Sequence, residues 1–263
     1  MKLVNSSLLA LLLVSPSSGS IILFSDSFDT ADSASLDASI QGARRSGTLA
    51  GNIQVRSWGF QQSIVGNQLS LGGLSNGVRF ENDDGTFGGD NRFDWAAGAT
   101  GADILTAGGF TVSFDWTPAT NDTTEWVSFQ VGTVNGDSGN LTDDDYGILF
   151  RRNGDTERFD NTVNLGAGGS FPATTVARAV EINYAFSSFA DGASVTATST
   201  VDGVQVASDT FTWDGNVGEM RMELGHNAAG ELIDNLTVSI VPEPSSLLLC
   251  GLAMAGFISR RRR

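Results

Sequence analysis

The stretch Phe110–Thr117, FTVSFDWT, places Phe110, Val112, Phe114 and Trp116 on one side of an extended chain and Thr111, Ser113, Asp115 and Thr117 on the other. Successive side chains of a strand point to opposite faces, so this alternation predicts a half-buried strand with an aromatic inner face. Further along, Trp126–Val131 (WVSFQV) has Val127, Phe129 and Val131 as its apolar set. Ala193–Trp213 reads as two strands joined by Asp202-Gly203, a dipeptide that tolerates the positive φ angles of a tight hairpin. Other predicted strands are Ile53–Trp58, Gln68–Leu71, Val78–Glu81, Tyr146–Arg152, Arg158–Leu165, Ala179–Phe186, Glu219–Leu224 and Leu232–Ile240. The glycine-rich stretches Gly85–Gly109 and Gly166–Gly169 are expected to be loops.

Many short strands without intervening helices predict an all-β fold, an antiparallel two-sheet β-sandwich over residues 21–240. No internal repeat or domain boundary divides that span.

Composition narrows the chemistry. The chain has 263 residues, a formal charge of −15, one His and one Cys. So few ligands exclude the common zinc sites, and a single Cys excludes disulfides within the chain. Lys2 and Arg260–Arg263 hold five of the fifteen basic groups, which leaves the body with ten arginines against twenty-nine carboxylates. A body at −19 repels phosphate backbones and anionic lipid, so no nucleic-acid partner is expected.

The two ends read as addresses. Met1-Lys2, the apolar run Leu8–Val14 and the small residues Ser15–Ser20 predict a signal peptide over residues 1–20, cut after Ser17 or Ser20. Residues 241–263 comprise Val241-Pro242-Glu243-Pro244, an apolar stretch Leu247–Ile258 and a run of Arg. Twelve apolar residues as a helix reach about 18 Å, short of the roughly 30 Å of a bilayer core, so the segment is expected to make transient membrane contact. The arginines that follow should stay cytoplasmic and leave the body outside. This tail resembles the PEP-CTERM sorting signal, with Pro242, Glu243 and Pro244 as its triplet. The resemblance implies an exosortase-type processing enzyme as partner, and export to the cell surface or extracellular space in association with exopolysaccharide.

Asp26-Ser27-Phe28-Asp29, the Gly109–Pro118 and Trp126–Phe129 strands, and the closing Ile233-Asp234-Asn235-Leu236-Thr237-Val238 together resemble a concanavalin A-like or laminin G-like jelly roll. That resemblance implies first and last strands side by side, binding of glycans or proteins, frequent structural calcium, and less often glycan cleavage.

Catalytic signals are sparse. Glu219-Met220-Arg221-Met222-Glu223 has Arg where a sandwich glycosidase carries its central acid, and reads as a solvated strand face with Met220, Met222 and Leu224 turned inward. His226 is expected in a surface turn, with no Gly-x-Ser-x-Gly elbow to serve. Trp58, Trp95 and Trp213 are either core residues or sugar platforms. The acidic loops Asn82-Asp83-Asp84-Gly85, Asp90-Asn91 and Asn135–Asp145 offer oxygens for calcium, with Asp83, Asp84, Asp143 and Asp145 as expected ligands. The sequence reading is therefore an exported, non-enzymatic surface or matrix protein that binds polysaccharide. A secreted glycan-acting enzyme and a purely structural matrix component are the alternatives.

Overall fold

The computed structural model describes residues 19–39, 43–72, 76–84, 91–119, 125–132, 145–160, 163–173, 175–215, 219–227 and 229–241. The core of the expected signal peptide, Asp143, the Pro242-Glu243-Pro244 triplet and the apolar tail lie outside the described residues.

Two antiparallel sheets stack on one another. The larger runs β14 (Val204–Thr212), β13 (Ser194–Val201), β12 (Arg178–Ala185), β7 (Gly109–Thr117), β16 (Glu231–Ile240), β1 (Ile21–Asp26) and β2 (Arg45–Ser46). It also takes β5 (Gln68–Leu71) against β16, and β4 (Ser63–Val65) against β5. The smaller runs β11 (Val163–Ser170), β10 (Asp155–Asp160), β9 (Tyr146–Arg151), β8 (Trp126–Gly132), β15 (Arg221–His226), β6 (Asn76–Asn82) and β3 (Ile53–Trp58). The two-sheet sandwich expected from the alternation is what the structure shows.

β7 sits centrally, with Phe114 opposite Val180 of β12 and Val112 opposite both Ile182 of β12 and Val238 of β16. Phe110, Val112, Phe114 and Trp116 are all buried, as the alternation requires. Aromatic rings fill the space between the sheets in the offset and edge-on arrangements that their quadrupoles favour. Phe110 stacks on Tyr184 at 5.0 Å, Tyr146 stacks on Phe211 at 5.0 Å, and Trp213 meets Phe186 edge-on at 5.2 Å.

The first and last strands do pair, with Ile21 opposite Ile240 and Asp26 opposite Leu236. The two ends of the body therefore leave it side by side. Just behind this pair, Arg44 Nε reaches Asp26 at 2.8 Å with both side chains fully buried. The Asp202-Gly203 hairpin is also present, with φ of 51° and 75°.

Three expectations need correction. Arg158–Leu165 is not one strand: it covers the end of β10 and the start of β11, paired with each other. Gly166–Gly169 is not a loop but the middle of β11, an edge strand, where added side chains at Gly168 and Gly169 would press on β14: the Cβ atoms would lie 2.9 and 3.0 Å from the Val206 carbonyl oxygen. Glycine there lets the edges of the two sheets come together. Gly85–Gly109 contains a helix, α1 (Gly98–Thr106), which buries Gly101 and Ile104. Gly109, at φ 138°, starts β7 so close to β12 that a Cβ would lie 1.9 Å from the Tyr184 carbonyl oxygen.

Candidate functional site

The smaller sheet carries the polar chemistry of the molecule, on the face turned away from the core. In β6, Val78 and Phe80 point inward, so Arg79 and Glu81 point outward. In β15, Met222 and Leu224 point inward, so Arg221 and Glu223 point outward. The ladders then line up Arg56 of β3, Arg79, Glu223 and Gln130 of β8 across four strands. All but Arg56 are buried, although nothing in their sequence announces it.

Ion pairs make that burial tolerable, because an unpaired charge in such surroundings is costly. Glu81 receives Arg79 Nε at 2.6 Å and Arg56 Nε at 3.4 Å. Glu223 receives Arg92 Nη1 at 2.7 Å. Arg221 binds Glu219 and the carbonyl oxygen of Arg92. The sequence reading of Glu219–Glu223 as a solvated face is thus overturned: Met220, Met222 and Leu224 are inside as expected, but Arg221 and Glu223 are only 5% exposed each. His226 is likewise not in a surface turn. It ends β15 and is 0% exposed.

At one end of this face the sheet opens. The ladder between β6 and β15 stops at Arg79 and Glu223. Beyond it, residues Asn91–Trp95 run between the two chains: the N–H groups of Asn82, Phe93 and Trp95 donate to the carbonyls of Asn91, Phe80 and Met220 at 2.9, 3.0 and 3.1 Å. Trp95 anchors this insert, fully buried and edge-on to Phe80 and Phe93 at 5.3 and 5.0 Å. Asp94 fixes it further, its Oδ1 accepting the N–H of Ala96 at 3.0 Å and of Met220 at 2.9 Å.

The insert forms one wall of a cleft of about 630 Å³, whose other walls are Leu49, Gly51 and Asn52, Asn82–Asp84, the start of α1, and Glu219 with Arg221. Its floor and walls therefore carry four carboxylates (Asp83, Asp84, Asp94, Glu219), two guanidinium groups (Arg92, Arg221) and the half-buried ring of Phe93. Such a set offers hydrogen-bond donors and acceptors side by side with one apolar plane, the combination that ligand sites for polar molecules use.

Asp83 and Asp84 both line this cleft, but Asp145 does not. Asp83 pairs with Arg45 at 2.8 Å, and Asp84 accepts Asn91 Nδ2 at 3.0 Å. Asp145 immediately precedes β9, three strand positions from β6, which is about 14 Å or more at normal strand spacing. Its carboxylate accepts the N–H of Asp214 at 3.2 Å. Burial pushes its pKa up to about 7, helped by the negative charges of Asp214, Asp160 and Asp191. Asp83, Asp84 and Asp145 are therefore too far apart to ligate one calcium ion, whose ligands sit at 2.3–2.6 Å. Among the described residues no group of three or more His, Cys, Asp and Glu side chains is placed to hold a metal.

Of the three tryptophans in question, Trp95 and Trp213 are core residues and Trp58 is half-buried at the far end of β3. Sequence reasoning missed Arg92, Phe93 and Asp94, because they lie in a stretch taken for a glycine loop. The available signal was the Arg-Phe-Asp-Trp alternation at 92–95, one strand-like step too short to stand out.

Residues 241–263 match the PEP-CTERM protein-sorting motif. This is the tail of an exported protein, and the motif begins one residue after β16 ends. No helix among the described residues is long and apolar enough to cross a membrane. No curated protein matches the sequence. Among solved structures, the carbohydrate recognition domain of Emp46p in its potassium-bound form is 10% identical, with a TM-score of 0.45 over 80% of this chain and 95% of that one. Trypanosoma rangeli sialidase in complex with 2,3-difluorosialic acid is 12% identical, with a TM-score of 0.48 over 82% of this chain and 30% of that one. The carbohydrate recognition domain of Emp47p is 11% identical, with a TM-score of 0.42 over 73% and 89%. Likenesses this distant carry no argument about what this chain binds.

Proposed function

We propose that the chain is an exported, non-enzymatic surface or matrix protein, that its tail is processed by an exosortase-type enzyme, and that its sandwich binds polysaccharide in the cleft between β6 and β15. The observation that carries the reading is the cleft itself, where the insert at 91–95 sets carboxylates, guanidinium groups and the Phe93 ring around one opening. Sugar hydroxyls donate and accept at once, and a pyranose ring offers an apolar face, so the lining matches what a glycan presents.

One observation bears on the enzyme alternative: Glu81 and Glu223 are two carboxylates on adjacent strands of one face, and glycoside hydrolysis uses a pair of carboxylates. Both, however, are committed to arginines and only 1% and 5% exposed, which keeps a glycosidic bond out of their reach.

The test is a glycan array probed with the protein and with its Gly51→Phe form. Gly51 lines the cleft, and a Cβ added there meets nothing within 4 Å, so a ring can be introduced at the opening without a backbone clash. Binding that the substitution abolishes supports the reading. Binding that survives it, or release of reducing sugar from any retained glycan, would sink it.

A further inference from the structure

The structure assigns the cleft a class of ligand: an uncharged polysaccharide, with uronate-bearing polymers excluded. This rests on the cleft being the glycan site and adds which glycans it takes.

The argument is one of charge and of prior commitment. A uronate carboxylate is held in proteins by guanidinium groups that can offer it a fork of two N–H donors. The cleft has two arginines in its lining, and both are spent. Arg92 is bound to Glu223, and Arg221 is bound to Glu219 and to the backbone oxygen of Arg92. An incoming carboxylate meets four others in the same walls, on a body with nineteen more acidic than basic groups. Like charges at such separations repel, and the cost rises in a partly enclosed site where solvent screens less.

A hydroxyl-bearing neutral sugar suffers none of this. Carboxylate oxygens already bonded to one donor keep further lone pairs for hydroxyl protons, and the ring of Phe93 remains half-exposed for the apolar face of a sugar. The excess of acid around the opening therefore acts as a repulsive device against one partner class while leaving the other unaffected.

The probe set is dextran and mannan as neutral polymers and alginate as the uronate polymer, with the full chain in detergent and retardation in affinity gels as readout. Arg260–Arg263 can hold alginate by themselves, so the quantity of interest is the difference between the protein and its Gly51→Phe form. The expected result is retardation by a neutral polymer that Gly51→Phe removes, and no cleft-dependent retardation by alginate. The variant carrying Asp83→Asn, Asp84→Asn and Glu219→Gln removes three of the four lining carboxylates and releases Arg221 Nη2 from its ion pair with Glu219. It should gain cleft-dependent alginate binding, at least tenfold at low salt, again lost with Gly51→Phe. Cleft-dependent alginate binding by the unaltered protein, or no gain in the triple variant, overturns the assignment while leaving the glycan site standing. Absence of cleft-dependent binding to every polymer instead overturns the glycan site itself.

Discussion

β12 and β15 have nearly the same inner alternation and opposite outer faces. In β12, Val180, Ile182 and Tyr184 are buried while Ala179, Glu181, Asn183 and Ala185 are exposed. In β15 every residue from Arg221 to His226 is buried. The larger sheet thus keeps an ordinary wet back, whereas the smaller one carries an ion network and an inserted segment on its back. Alternation in sequence reports which side of a strand faces the core. It is silent on what covers the other side.

The largest effect that tests this contrast comes from the face both sheets share. Phe114→Ala should cost about 3–5 kcal/mol by denaturant unfolding, since the ring is buried in the common core. A loss below about 1 kcal/mol would mean the two sheets do not pack as described.

Next come matched changes on the two backs. Glu223→Ala removes the carboxylate that meets the Arg92 guanidinium at 2.7 Å in a buried place and should cost about 3 kcal/mol. Glu181→Ala, at an exposed site, should change stability by less than about 0.5 kcal/mol. Equal losses from the two would erase the difference between the sheets.

A smaller effect separates the sheets by pH. Burial pushes Glu231 of the larger sheet up to about 7, although Trp116 Nε1 and the N–H of Ala119 donate to it at 2.5 and 3.2 Å. A carboxyl with a raised native pKa holds its proton more tightly when folded, so its contribution is full below the ordinary carboxylate range and is lost as pH rises towards about 7. Asp145 beside the smaller sheet acts in the same direction over the same range. The melting temperature should therefore be a few degrees higher at pH 5 than at pH 8. Glu231→Gln should remove one part of that slope and Asp145→Asn the other, and an unchanged slope in both variants would discard the assignment.

Much of the fold was readable from the chain because its signals are local. Ile53–Trp58 and Gln68–Leu71 were placed to the residue, and Asp202-Gly203 marked its own hairpin. The errors at β11 and at residues 91–95 share one cause, which is that they depend on contacts distant in sequence, whereas the helix α1 was hidden by its glycines. β11 looks like a loop because its glycines answer to Val206 across the gap between the sheets. Residues 91–95 look like a loop because their partners are Phe80 and Met220. Of the cleft, Asp83 and Asp84 were singled out as calcium ligands, while Arg221 was placed correctly on a strand with its surroundings misjudged and Glu219, expected in the same strand, lies just before it.

The pairing of Ile21 with Ile240 has a practical side. Residues Thr48 and Leu49 bond to Ile22 and Leu23, and Leu49 lines the cleft, so Ile21 and Ile240 lie at the cleft's end of the body. A bead or chip coupled directly at Ile21 or Ile240 therefore sits at the same end as the opening and shields it from large polymers. Coupling through Val204→Cys, exposed at the start of β14 beside the Asp202-Gly203 turn, with Cys250 replaced by Ser, reverses that orientation and leaves the opening towards the solution.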